Sequence, residues 1–300
     1  MVFNTDSLCY DLLSGKLKKH SEQLNKVVAG LFDSDGCVSI KFSERGNSSY
    51  KEEQTYEIQL TSQIDQAASN DPDLQVMRAL HKHYEGSCIS YRARENWAHS
   101  ATVSMNGSKA VSFFYLIGKH LMIKGTHYER MVQLYTDLKG VSLSRDAVME
   151  LKEYITCSRD NSTSLKPKKH VSPAYLAGLL AGDGWITVKI GVPRIRNGWT
   201  SFENSFRCAI SLHFLDSDVL SKIQRDYGGK ISKKDKNMVC WKRNLGKADK
   251  AFALRFIKDI QKFMLIEKKY IALNSIYRFH TVPAETKCLS SERRCDSPRR

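Results

Sequence analysis

Residues 27–42 read VVAGLFDSDGCVSIKF, and residues 175–190 read YLAGLLAGDGWITVKI. Both stretches follow one frame: apolar, Ala, Gly, Leu, apolar, two variable positions, Asp, Gly. Asp35 and Asp183 stand 148 positions apart in that frame. Up to the Asp, small and apolar residues recur at helical spacing. After the Gly the period becomes two, with Val38, Ile40 and Phe42 on one side and Ser39 and Lys41 on the other. Each stretch therefore reads as a helix running into a strand, and the chain contains two copies of it.

Later landmarks repeat too. YEGSCIS at 84–90 matches YGGKIS at 227–232, and LMIKGTHYERM at 121–131 matches FMLIEKKYIAL at 263–273. Met122 and Met264 are 142 apart, as are Tyr128 and Tyr270, so the offset shrinks by six. The polar run SQIDQAASNDPD at 62–73, opposite the shorter LHFLDSD at 212–218, is the expected place for that difference. In the first half the pattern predicts a helix over 24–35, strands over 37–42 and 56–61, and a helix over 73–84. Strands over 87–92 and 98–105 and helices over 109–121 and 126–138 follow. The second half repeats this order between 173 and 279. The expected organisation is an N-terminal extension (1–23), a first half (24–140), a linker with a helix near 145–156 (141–172), a second half (173–282) and a basic disordered tail (283–300). The linker's SRDNSTSLKPKKH is polar, basic and broken by Pro167.

Charge narrows the partners. Lys and Arg number 47 against 32 acidic residues, a formal charge of +15, which favours a polyanionic partner. The eight cysteines are scattered and form no CxxC pair, so neither a disulfide framework nor a zinc site is expected, and a reducing compartment fits. The N-terminus lacks a basic segment followed by an apolar core, and no apolar run is long enough to span a membrane. An intracellular protein with no membrane partner is expected.

The repeated frame carries chemistry. Gly30 and Ser34 share a helix face, as do Gly178 and Gly182, and small residues on one face let two helix backbones approach closely. The halves are thus expected to join through these helices. Gly36 and Gly184 read as the left-handed residues that end each helix. Asp35 and Asp183 then lie at the negative ends of paired helix dipoles and near each other. Two carboxylates in one place call for compensation, which hard divalent cations supply together with phosphate oxygens. Phosphodiester hydrolysis uses such an arrangement.

Residues 28–36 and 176–184 resemble the LAGLIDADG motif of homing endonucleases, and the likeness extends over about 26–279. It implies an α+β fold of two pseudo-symmetric αββαββα halves, forming a saddle of antiparallel sheets with the motif helices at the domain interface. It implies a metal-dependent endonuclease that cuts one phosphodiester on each strand of a long, asymmetric double-stranded DNA target across the minor groove. Asp35 and Asp183 fall at the motif's metal-binding eighth position; the sixth holds Asp33 in one copy and Ala181 in the other. Magnesium is the implied cofactor, with manganese substituting and calcium binding without supporting cleavage. The carbonyls at position 34 are left unassigned as metal ligands. The resemblance also implies a polar residue on the second strand, for which Gln59 and Ser211 are candidates. For a lysine before the last helix the candidates are Lys124 and Lys268, with Lys269 close behind.

DNA contacts are expected from Ser39, Lys41, Arg92, Arg94, Thr187, Lys189, Lys230, Lys233, Lys242 and Arg243 on the sheets. Loops carrying Arg45, Arg194 and Arg196 extend the list. A monomer is expected, because one chain supplies both motifs. The competing reading is an intron-RNA-binding maturase of the same fold, and retention of both Asp35 and Asp183 argues for nuclease activity. The family's occurrence in mobile introns makes an organelle one candidate location.

Overall fold

The computed structural model describes residues 5–18, 21–45, 55–67, 74–94, 97–160, 170–189, 194–196, 199–201, 205–246 and 249–282. Most of the expected linker's polar stretch (161–169) and the expected tail (283–300) lie outside the described residues.

A short helix, α1 (Leu8–Leu13), precedes the first half. That half runs α2 (Glu22–Asp35), β1 (Gly36–Arg45), β2 (Thr55–Ala67), α3 (Gln75–His83), β3 (Cys88–Arg94), β4 (Trp97–Asn106), α4 (Ser108–Ile117) and α5 (Gly125–Leu138). After α6 (Arg145–Asp160), the second half runs α7 (Pro173–Ala181), β5 (Gly184–Lys189), β6 (Arg194–Arg196), β7 (Trp199–Ser201), β8 (Ser205–His213) and α8 (Ser217–Tyr227). It ends with β9 (Lys230–Lys233), β10 (Met238–Asn244), α9 (Lys250–Gln261) and α10 (Glu267–Thr281). The antiparallel sheets have orders β1-β2-β4-β3 and β5-β8-β10-β9, the same topology twice. The residues around Arg194 and Arg196, expected as a loop, form the β6–β7 hairpin inserted between β5 and β8.

Alternation assigns each sheet an inner face under the helices and an outer face. On β2 the inner residues Ile58, Leu60 and Ile64 are buried, and across the pair Val103 of β4 meets Ile64. The outer residues Gln63 and Asp65 pair with Ser104 and Thr102 of β4; Gln63 donates to Ser104 Oγ at 3.2 Å, and Thr102 donates to Asp65. On β8, Phe206, Cys208, Ile210 and Leu212 point inward while Arg207 is exposed.

The halves meet through α2 and α7. Ser21 and Ser172 start these helices by accepting the Leu24 and Tyr175 amides at 3.4 and 3.2 Å. A Cβ added at Gly30 would lie 2.1 Å from the Tyr175 carbonyl oxygen and 2.8 Å from the Leu179 nitrogen. At Gly178 the corresponding atoms are the Val27 oxygen at 1.8 Å and the Leu31 nitrogen at 2.8 Å. Residues 27, 30 and 31 map onto 175, 178 and 179 with the 148-residue repeat offset, so the contact is the same patch used twice about a pseudo-twofold axis. Val28, Leu31, Leu176, Leu179 and Leu180 around it are buried.

Gly36 and Gly184 do not take the expected left-handed conformation. Gly36 is extended (φ −85°, ψ 154°), and neither glycine has positive φ. Their reason is steric: a Cβ would lie 2.4 Å from the Phe32 ring and carbonyl in one case, and 2.6 Å from Leu180 Cα in the other.

Segments outside the halves pack back onto them. α1 packs on α3, while its Leu8 amide donates to the Lys262 carbonyl at 2.8 Å. The N-terminal extension is thus tied to both halves. Leu143, ahead of α6, exchanges two 2.9 Å backbone hydrogen bonds with Tyr56 of β2. Among the described residues no helix is long and apolar enough to cross a membrane.

Candidate functional site

The pairing of α2 and α7 brings Asp35 and Asp183 together. Gly182, beside Asp183, faces Asp35: a Cβ there would lie 2.6 Å from Asp35 Oδ2 and 1.9 Å from Ser34 Oγ. The small residues that admit the second helix thus also admit the carboxylate. Because β1 starts at residue 36 and β5 at residue 184, both sheets begin at this pair.

Two lysines close the helix ends. Lys124 Nζ donates to the carbonyls of Phe32, Ser34 and Gly36 at 3.0, 3.0 and 2.7 Å. Lys269 Nζ donates to those of Leu180, Ala181 and Gly182 at 2.7, 2.5 and 3.2 Å. These carbonyls cluster at the two helix C-termini, where an ammonium offsets the negative end of the dipole. The two lysines enter differently, Lys124 from the residue preceding α5 and Lys269 from the first turn of α10.

Burial sets the electrostatics. Asp35 is pushed up to about 6, first by burial and then by Asp183, against the pull of Lys269, Gln66 and Lys124. Burial raises Asp183 as well, opposed by the same lysines. Burial lowers Lys124, and it lowers Lys269 to about 8. A crowded carboxylate pair at two capped helix ends suits a divalent cation, which would offset the repulsion between the two charges. Near it are two buried oxygens with no hydrogen-bond partner, Gln66 Oε1 and Ser211 Oγ. The Ser211 amide donates to the Asp183 carbonyl at 3.5 Å. Asp35, Asp183 and these flanking polar groups fit a hard cation that completes its shell with water and phosphate oxygens.

Several expected site residues fall elsewhere. Gln59 pairs with Lys41, five residues along β1 from Gly36, roughly 17 Å at strand rise, and it is exposed on the outer face. The glutamine that reaches Asp35 is Gln66, whose Nε2 donates to Oδ2. Its one signal emerges once β2 extends past the expected end at residue 61: Gln66 is a polar residue on the inward parity, where Ile58, Leu60 and Ile64 are apolar. Lys268 is exposed, and Lys269 takes its expected place. Helical spacing separates the two, since Lys269 shares a stripe with buried Leu273, Ile276 and His280.

The outer faces carry the candidate DNA contacts. Lys230, Arg207 and Lys242 line a shallow depression that continues to Trp185, Thr187, Lys189 and Ser205. Arg207, paired with Thr187, was not anticipated. Arg243 and Asp249 reach the same depression, but Arg243 leaves β10 on the opposite parity, and its guanidinium stacks on Phe252 at 4.0 Å and pairs with Asp249. It follows Lys242 on β10, and adjacent strand residues face opposite sides. Lys233 likewise falls on the parity of Ile231, exposed at the end of the edge strand β9. Ser39 is half-buried and Lys41 exposed, both on the outer face of β1. Arg45, Arg92, Arg94, Arg194 and Arg196 lie on β1, β3 and β6, with side chains outside the described residues.

Comparison with known proteins adds context. Residues 176–280 match the family model described as LAGLIDADG endonuclease. Among solved structures, the chain resembles the I-LtrWI LAGLIDADG homing endonuclease bound to target DNA, with TM-score 0.60 and 14% identity over 93% of this chain and 99% of that one. It also resembles the I-SmaMI LAGLIDADG homing endonuclease bound to cleaved DNA (TM-score 0.59, 13% identity, 89% and 92% covered). I-SmaMI bound to uncleaved DNA target in the presence of calcium ions is similar too (0.57, 16%, 89% and 96%). Likeness at these identities establishes the fold, the two-sheet saddle of those proteins. No curated protein matches the chain by sequence.

Proposed function

We propose that this chain, whose residues 176–280 match the LAGLIDADG endonuclease family model, is a single-chain, metal-dependent endonuclease that cuts both strands of a long, asymmetric DNA site. The observation that carries this reading is the junction itself: two carboxylates, one from each half, meet at lysine-capped helix ends where both sheets begin.

Asp35 and Asp183 would hold divalent metal ions, magnesium in use with manganese as a substitute. When bound, the metal supplies Lewis-acid stabilisation of the leaving oxygen and a water acidic enough to attack phosphorus. The chain's own residues prepare for this. Lys124 and Lys269 neutralise the helix ends, which makes ionised carboxylates tolerable there. Gln66 orients the Asp35 carboxylate through Oδ2, and Ser211 leaves a free hydroxyl beside Asp183 for a water or a phosphate oxygen. The outward Arg207, Lys230 and Lys242 engage phosphates and guanine edges, while Gln59 and Gln63 offer amides to adenine. Calcium is proposed to bind without supporting cleavage, as suggested by the calcium complex of I-SmaMI with uncleaved target.

The test is a plasmid cleavage assay on a target selected from a random library. Magnesium should support nicking and linearisation. Asp35→Asn and Asp183→Asn should each abolish cleavage by magnesium while binding persists. Undiminished cleavage by either variant would refute the assignment.

A further inference from the structure

The metal chemistry leaves the buried carboxylate of α2, Asp33, unused. Asp33 is 3% exposed, buried at the junction between the halves. Its Oδ2 accepts the backbone amides of Met122 and Ile123 at 2.7 and 3.1 Å, and its Oδ1 accepts that of Lys124 at 2.8 Å. The Tyr175 hydroxyl, from α7 of the other half, donates to Oδ2 at 2.7 Å. Lys124 is thus gripped at both ends. Its backbone hangs from Asp33, and its ammonium sits on the carbonyls of residues 32, 34 and 36, which flank Asp33.

We propose that Asp33, anchored by Tyr175, is a positioning residue that fixes Lys124 against the end of α2 and so makes the first half's share of the site depend on correct docking of the second. The proposal rests on the nuclease reading above. The second half lacks the device. The equivalent of Asp33 is Ala181, and the preceding turn there is Met264, Leu265 and Ile266, all buried and apolar. Lys269 is instead carried in the first turn of α10, three residues beyond Ile266. Loss of Asp33 should therefore act through Lys124 and leave Lys269 in place.

Asn at position 33 would keep the size but turn an N–H donor toward backbone N–H donors, which breaks the grip. The experiment is a kinetic cycle on the full chain and its selected target in magnesium, with Asp33→Asn, Lys124→Ala, Lys269→Ala and the corresponding pairs. Asp33→Asn should slow cleavage about 10–100-fold, the usual cost of losing such a support, with DNA binding retained. In the Lys124→Ala background it should add nothing, whereas with Lys269→Ala the effects should multiply. Tyr175→Phe, which removes only one hydroxyl, should reproduce the pattern more weakly and replaces Asp33→Asn if that variant does not fold. Independently of cleavage, amide hydrogen exchange at residues 122–124 should accelerate in both variants. Slowing by the same factor with and without Lys124, or unchanged exchange at 122–124, would overturn the proposal. A wild-type chain that fails to cut would sink the nuclease reading instead, and the exchange measurement would still decide whether Asp33 holds the turn.

Discussion

At Asp35, burial and Asp183 push one way while Lys269, Gln66 and Lys124 push the other, and the carboxyl settles at about 6. This lies above the ordinary carboxylate value, so ionising Asp35 costs stability as pH rises through 6, and the cost vanishes below about pH 4. In chelator, Asp35→Asn should stabilise the protein at pH 7.5 by about 1–3 kcal/mol in urea unfolding, with the gain shrinking toward pH 5. Equal effects at the two pH values would contradict the origin of the shift. Under limiting magnesium, wild-type cleavage should fall as pH drops through 6 and recover with excess metal, since only the ionised carboxylate binds. Gln66→Leu should cut the rate at saturating DNA about tenfold, in line with the loss of a supporting hydrogen bond. Gln59→Ala should change KM or base preference instead; a kcat loss there would reverse the two assignments. The Asp pair was legible from sequence because the frame repeats. Gln66 was not, because a polar residue at an apolar register position is noticed only once the pairing is known.

Helices and strands obey two separate periodicities, and the site depends on both. Gly30→Ala and Gly178→Ala each drive a methyl into the opposing backbone, so α2 and α7 must separate. Each should cost about 1–3 kcal/mol or more and should impair cleavage along with stability. Gly140→Ala, in open space but at φ +81°, should cost stability through backbone strain while sparing the junction. On β10 the prediction separates neighbours. Lys242→Ala should weaken DNA binding and reduce the salt slope by about one, whereas Arg243→Ala should lower stability through its lost contacts with Phe252 and Asp249 and leave the slope alone. Filter binding across a salt series reads both. Element order was legible because each helix or strand has enough residues to show its period. The six-residue α1 and the three-residue strands β6 and β7 are too short to display one. Charge alone does not separate neighbouring basic residues such as Lys242 and Arg243; strand parity does.

Taken whole, the molecule is a pair of unequal halves on a shared axis. The outer face of the second sheet presents Lys189, Arg207, Lys230 and Lys242, while the described strands of the first present Lys41, Gln59, Gln63 and Asp65. The selected target should accordingly be non-palindromic, with guanines favoured under the second half and adenines under the first. A palindromic consensus would count against that division. One chain supplies both aspartates, so under the proposed function a single chain would hold the whole cation site. The direct test of the central claim is a crystal structure of the complex with target duplex and calcium. It should show calcium within about 2.3–2.6 Å of carboxylate oxygens of both Asp35 and Asp183, and in contact with phosphates of both strands. Calcium bound elsewhere, or a duplex seated away from the α2–α7 junction, would contradict it.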